Sequence, residues 1–205
     1  MHRIFANLAA MIVLTGLASA VFIALRPQPT DRFAECRTTA VAGGSAAIGG
    51  PFELTDHNGQ RVTEVDIING PTLMYFGYTF CPDVCPLDTY RNAEVVALLS
   101  ESGIKVKPVI VTIDPERDTP EAMAAFVEYL HEDMVGLTGS DADIAAAIKA
   151  YRVYAAKNGD DQYYLMDHST WTYLMDPNEG FLQFFGRDVS AEKMAEQVAC
   201  FVDKL

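Results

Sequence analysis

Apolar positions in this chain follow two patterns, short unbroken runs and longer stripes at helical spacing. Thr72–Phe80 is a strand-length run of apolar and aromatic residues without alternation, as expected of a strand buried on both faces. Val106–Ile113, rich in β-branched residues, reads the same way. Leu87–Leu99, between them, is helical in pattern. Upstream, Pro51–Leu54 predicts a short strand, and Asn58-Gly59 a hairpin turn into a second strand over Arg61–Val65. Downstream, Met123, Phe126, Val127 and Leu130 form one face of a helix, opened by Thr119 as N-cap and Pro120 at the first helical position. Met134–Thr138 predicts another short strand. Ser140 and Asp143 predict a capping box with Asp where Glu or Gln is usual, and Ile144, Ile148 and Tyr151 stripe the helix behind it. Tyr163–Met175 then predicts one strand, Asp176–Gly180 a turn, Phe181–Phe185 the return strand, and Met194, Val198, Phe201 and Leu205 a final helix.

Strands that alternate with helices imply a parallel centre, and a closing hairpin adds antiparallel strands. The predicted class is α/β: a central mixed sheet flanked by helices, with cysteines at the first strand–helix junction. That is the thioredoxin-like arrangement. Cys81 and Cys85 lie between Thr72–Phe80 and the helix. Pro86 is tolerated in the first turn, so the spacing predicts a helix start there with Cys85 near the N-cap. A helix N-terminus is electropositive and favours thiolate over thiol.

The N-terminus differs in kind. Ile4–Leu25 carries no charge, and at about 1.5 Å per residue it reaches roughly 33 Å, enough to cross a bilayer core. Arg3 precedes it, which favours a cytoplasmic N-terminus and an exported bulk. A cleaved signal peptide with Ala18-Ser19-Ala20 as its small-residue site is the rival, but the apolar run continues past that site. The expected organisation is a single transmembrane helix over 1–25, a Pro- and Gly-containing tether over 26–50, and a globular domain over 51–205. The expected location is the inner membrane, with the domain in the periplasm or the equivalent mitochondrial intermembrane space. A formal charge of −13 argues against nucleic acid, which demands clustered Lys and Arg.

Export makes disulfides possible. Cys36 and Cys200 could close one between the tether and the last helix, or could stay as two thiols. Cys81 and Cys85 admit three readings: a cycling redox dithiol, two ligands of a metal ion, or a structural disulfide. Their spacing is one residue wider than the Cys-x-x-Cys of thioredoxin-type redox pairs. Two thiolates are soft ligands that suit Cu(I) or zinc, and a stable site needs a third donor. His2 precedes the apolar segment, His57 falls in a hairpin turn and His131 at a helix end. His168 enters the late hairpin, which in a thioredoxin-like sheet runs beside the first central strand.

Three motifs carry a family resemblance: Tyr78-Thr79-Phe80-Cys81-Pro82-Asp83-Val84-Cys85-Pro86, Thr112-Ile113-Asp114-Pro115-Glu116-Arg117-Asp118-Thr119-Pro120 and Asp167-His168-Ser169-Thr170. Together, from about Gly50 to the C-terminus, they resemble the Sco/SenC family of anchored, thioredoxin-like copper chaperones for cytochrome c oxidase assembly. The resemblance implies one copper ion, Cu(I) or Cu(II), on Cys81, Cys85 and His168. It implies delivery to the dinuclear copper site of oxidase subunit II, with other copper chaperones or thiol oxidoreductases as further partners. The recipient's cysteines must be reduced before loading, so Cys81 and Cys85 could also act as a redox-catalytic dithiol. Asp114 and Asp118 read as loop-ordering residues first. Met166 shares a strand face with His168 by period two, but core packing explains it.

The alternative is an exported thiol–disulfide oxidoreductase or thiol peroxidase acting through Cys81 and Cys85. Peroxidases of the peroxiredoxin type place a threonine three residues before the reactive cysteine, whereas Thr79 is two before Cys81. An oxidoreductase also has no need of His168.

Overall fold

A computed structural model of the chain describes residues 15, 16, 22, 31–38 and 47–205. Most of the apolar segment Ile4–Leu25, and with it the expected transmembrane helix, lies outside these. Among the described residues no helix is long and apolar enough to cross a membrane. The chain divides into two compact units, Met1–Ala34 and Glu35–Leu205. In the first, Ala34 N–H donates to the Asp31 carbonyl and Phe33 N–H to the Asp31 carboxylate, closing a turn.

The second unit runs β1 (Glu53–Asp56), β2 (Arg61–Thr63), α1 (Glu64–Ile67), β3 (Thr72–Gly77), α2 (Val84–Glu101), β4 (Lys107–Thr112), α3 (Pro120–Val127), β5 (Val135–Thr138), α4 (Asp141–Ala150), β6 (Ala155–Asn158), β7 (Leu165–His168), β8 (Thr172–Asp176), β9 (Gly180–Phe185) and α5 (Ala191–Asp203). Seven strands form one sheet in the order β2-β1-β5-β4-β3-β8-β9. β3, β4 and β5 are parallel, while β1, β8 and β9 add antiparallel pairings. The thioredoxin-like expectation, a mixed sheet flanked by helices, holds.

The centre of the sheet is apolar because it is covered on both faces. Every residue of β3 is buried, as are five of the six in β4. Met74, Tyr75, Phe76, Ile110, Leu137 and Tyr151 anchor the core. The caps behave as the sequence predicts. Thr119 accepts from Ala122 N–H with Pro120 in the first turn, and Ser140 and Asp143 form the reciprocal capping box.

Three local expectations need correction. Helix α2 begins at Val84, two residues before Pro86, so Cys85 lies inside the first turn with Asp83 as N-cap. The proline costs nothing there, since first-turn N–H groups have no intrahelical partner. The single strand expected over Tyr163–Met175 is two strands, β7 and β8, belonging to different sheets. Its first part pairs instead with β6, which has no strong apolar signal, in a separate two-stranded hairpin. Arg61–Val65 is likewise cut short, because Thr63 and Asp66 form a capping box that opens α1.

Cys36 is disulfide-bonded to Cys200 across a sequence separation of 164. The segment beside it lies along β9 and α5, where an Arg37 Nη donates to the Leu182 carbonyl and Gln183 Nε2 donates to the Thr38 hydroxyl. The bond therefore fastens the chain ahead of β1 to the last helix. Replacing both cysteines by Ser should lower unfolding free energy by about 2–5 kcal/mol, because the unfolded chain regains the entropy of a long loop. Denaturant unfolding of the double variant measures it, and an unchanged midpoint would show that the bond adds no stability.

Candidate metal centre

The site forms where β3 ends. Gly77 is the last residue of the strand, the loop 78–83 follows, and α2 starts at once. The Asp83 side chain makes no capping hydrogen bond. The N–H of Cys85 donates instead to Cys81 Sγ at 3.4 Å, so a sulfur lies over the start of the helix. Burial alone would raise the Cys81 thiol. Backbone N–H groups of Cys85, Asp83 and Val84 outweigh it and hold the thiol below its ordinary value. Cys85 is fully buried, and burial drives its thiol far above the usual range. Both cysteines are free. The two sulfurs thus differ in character, one disposed to ionise and the other held protonated.

His168 ends β7 and is half-buried. Its Nδ1 lies 2.8 Å from the Ser169 carbonyl, which sets Nδ1 as the N–H donor and leaves the Nε2 lone pair free. That Nε2 is 3.4 Å from Cys85 Sγ. Desolvation lowers the imidazole below its ordinary value, so it stands neutral, ready to accept from a thiol or to ligate. Tyr75 and Tyr78 flank the ring edge-on, with centroids 6.2 and 5.9 Å away.

The close approach of Cys85 to the strand requires Gly77. A Cβ at that position would stand 3.1 Å from Cys85 Sγ and 2.6 Å from the Tyr75 ring. Behind the site, Tyr75 donates to Asp88, which is buried on the inner face of α2 and paired with Arg187. Asp118 is fully buried and ties two loops together. It accepts from Thr79 in the cysteine loop and from Thr112 at the end of β4, while its carbonyl accepts from Thr138. Asp114 accepts from Arg117 and from the Tyr164 hydroxyl.

Of the residues singled out in the sequence, the structure brings Cys85 into contact with both His168 and Cys81. His57 and His131 make local bonds elsewhere, His57 with Gly136 N–H and His131 with Asp133 N–H. Met166 packs against the core. Among the described residues, no three Cys, His, Asp or Glu side chains already stand in metal-holding geometry. Cys81 Sγ faces the helix amides. The donor set nonetheless fits a soft ion: two sulfurs and one ring nitrogen, packed close to a strand end that carries no Cβ. Asp88, Arg117 and Tyr164 were not foreseen as neighbours of the site. Arg117 and Asp114 share a motif with the resemblance, whereas a buried Asp inside a helical pattern carries no sequence signal of its own.

This is a thioredoxin-like domain with a dithiol and an imidazole converging at a strand–helix junction, the class of thiol-based redox and soft-metal proteins. The model of the SCO1/SenC family matches residues 40–203, and the chain belongs to that family. Protein SenC of Rhodobacter capsulatus is 49% identical over 198 residues, 96% of this chain and 88% of that protein. The structure of Arabidopsis thaliana ScoI with copper bound superposes with a TM-score of 0.73 at 38% identity, covering 77% of this chain and 99% of that one. Bradyrhizobium japonicum ScoI with copper bound gives 0.69 at 42% identity, covering 75% and 98%.

Two outcomes follow from this geometry. Alkylation tracks the thiolate, so the pH–rate curve of Cys81 should reach its half-maximum below the ordinary thiol value of about 8.5. Cys85 should stay slow throughout. Mass-resolved iodoacetamide labelling of the reduced protein tests this, and equal curves for the two would contradict the asymmetry. Gly77→Ala should cost about 1–3 kcal/mol by overpacking against Cys85 and Tyr75, measured by thermal unfolding.

Proposed function

We propose that this protein is a copper chaperone that takes one copper ion as cargo on Cys81, Cys85 and His168 and supports assembly of the dinuclear copper site of cytochrome c oxidase subunit II. The observation that carries the reading is the meeting of the unprotonated His168 nitrogen with Cys85 Sγ at the helix start that holds Cys81. The copper-bound relatives and the three motifs support it. Thiolates suit Cu(I), and an added imidazole lets one site also hold Cu(II). With only three protein donors, one position is left for an acceptor's ligand, so the ion can leave by stepwise exchange.

The asymmetry of the two thiols favours a second role for the same residues. The Cys81 thiolate can attack a partner disulfide, forming a mixed disulfide and releasing one partner thiolate. Cys85 then attacks Cys81 Sγ, which releases the second partner thiol and leaves Cys81–Cys85 oxidised. Two electrons pass to the partner and the dithiol becomes a disulfide, so the exchange balances.

We further infer that Ile4–Leu25 anchors the chain with the domain on the exported side, in the periplasm or the mitochondrial intermembrane space. The uncharged length of that segment and the Cys36–Cys200 bond, which suits an oxidising compartment, support this.

Copper titration of the reduced protein beside His168→Ala tests the chaperone reading. The wild-type protein should take up one Cu(II) with sulfur-to-copper charge-transfer absorption. His168→Ala should lose Cu(II) affinity by about tenfold or more while keeping its capacity to reduce a disulfide. Equal Cu(II) binding by both proteins would remove the imidazole from the site.

A further inference from the structure

The β6–β7 hairpin that carries His168 shares no ladder with the main sheet. Backbone bonds inside it are plentiful: β6 and β7 pair over four positions, and Ser169 N–H donates to the Tyr154 carbonyl. Its attachment to the body is of another kind. Among the described residues, the hydrogen bonds that reach from it to the rest of the domain run through side chains. Met166 N–H donates to the Tyr78 hydroxyl, Lys157 reaches Glu116, and Tyr164 donates to Asp114 and Glu116.

Arg117 joins these contacts. Its Nε bonds Asp114, and one Nη donates to the Tyr164 carbonyl at 3.0 Å. Its guanidinium lies 3.6 Å from the centre of the Tyr164 ring, 4.8 Å from Phe80 and 5.7 Å from Tyr78. Phe80 adjoins Cys81, and Tyr164 precedes the strand that ends in His168. The second Nη is buried with no hydrogen-bond partner among the described residues. A planar cation has thus been placed for stacking at the expense of one donor, which a point charge could not reproduce.

We propose that Arg117 is a positioning residue, a clasp that holds the His168 hairpin against the cysteine loop and so sets how readily the imidazole reaches the two sulfurs. The inference rests on the reading of His168 as third ligand. It assigns the Asp114–Arg117 turn a task beyond ordering its own loop, namely docking a strand pair that the sheet does not hold. A ligand mounted this way can be withdrawn by loosening a few side-chain contacts, without breaking any rung of the main sheet.

The test is Arg117→Lys, which keeps a positive charge beside Asp114 but loses the fork and the stacking plane. In the metal-free protein, amide hydrogen exchange across 155–168 should accelerate while Thr72–Gly77 and Lys107–Thr112 stay protected. Cu(II) affinity should fall about tenfold or more, as for groups that orient a ligand, with weakened imidazole-nitrogen coupling in the copper EPR spectrum. Cu(I), held by the two sulfurs, should be nearly unaffected. Unchanged exchange in the hairpin overturns the proposal. So does loss of protection spread evenly through β3 and β4, which would make Arg117 a general determinant of the fold. Should Arg117→Lys fail to fold, two variants of Tyr164 decide. Tyr164→Phe keeps the stacked ring and the carbonyl bond to Arg117 and removes only the hydroxyl bonds to Asp114 and Glu116. It is compared with Tyr164→Leu, which removes the ring under the guanidinium. A hairpin as protected in Tyr164→Leu as in wild type overturns the clasp. His168→Ala separates the two readings. If that variant binds Cu(II) like wild type the ligand assignment fails, while exchange in the metal-free protein still upholds or overturns the clasp by itself.

Discussion

The structure depends on the capping of one helix by a sulfur. Helix α2 opens with N–H groups that no upstream carbonyl can satisfy, and its N-cap side chain makes no capping hydrogen bond. Cys81 supplies the acceptor. The arrangement holds the loop after β3 in a tight coil and draws Cys85 under it against the strand. It also sets the two thiols apart chemically. The bond that terminates the loop is therefore the same bond that tunes the site, and shape and reactivity cannot be separated there.

Around this junction, polar groups are buried in numbers that an apolar core would not tolerate unpaired. Asp118 is fully enclosed, and burial raises its carboxyl despite the threonines that bond it. It persists because Thr79 in the cysteine loop and Thr112 at the end of β4 both satisfy it. Asp88, Asn92 and Thr172 form a second set, with Tyr75 donating to Asp88 and Thr172 to Asn92. Removing one partner from such a set leaves the other stranded, at a cost of about 1–3 kcal/mol per neutral bond. These networks keep the C-terminal ends of β3 and β4 in one arrangement, which is what a site assembled from a loop, a helix start and a distant strand requires.

Much of this was legible beforehand. The unbroken apolar runs of β3 and β4, the Thr119-Pro120 start of α3 and the Ser140–Asp143 box of α4 are local features, and they appear where the sequence pattern places them. The cysteine motif marked the junction. Less legible was α2, whose inward face carries Asp88, Thr89 and Asn92 among apolar residues. A stripe read by hydrophobicity alone misses that face, because Asp88 and Asn92 are matched by Arg187 and Thr172, far along the chain, while Thr89 bonds back to the Cys85 carbonyl. The hairpin was misread for a related reason. Tyr163–Met175 looks like one strand, yet β7 turns out to β6 and β8 turns in to β3, and nothing in the run itself marks where the sheet lets go.

The residue order by itself determined the class of fold, the strand–helix junction bearing two cysteines, and the third motif that contained the histidine. These are matters of spacing and of local bonding, which neighbours along the chain settle. Tertiary structure decided what spacing cannot reach. It brought the His168 nitrogen to Cys85 across 83 positions, joined Cys36 to Cys200, and gathered Arg117, Tyr164 and Phe80 into one stack. Such meetings depend on which strands pair and in which direction. A sequence records the donors and acceptors, but only the folded sheet decides which of them face one another.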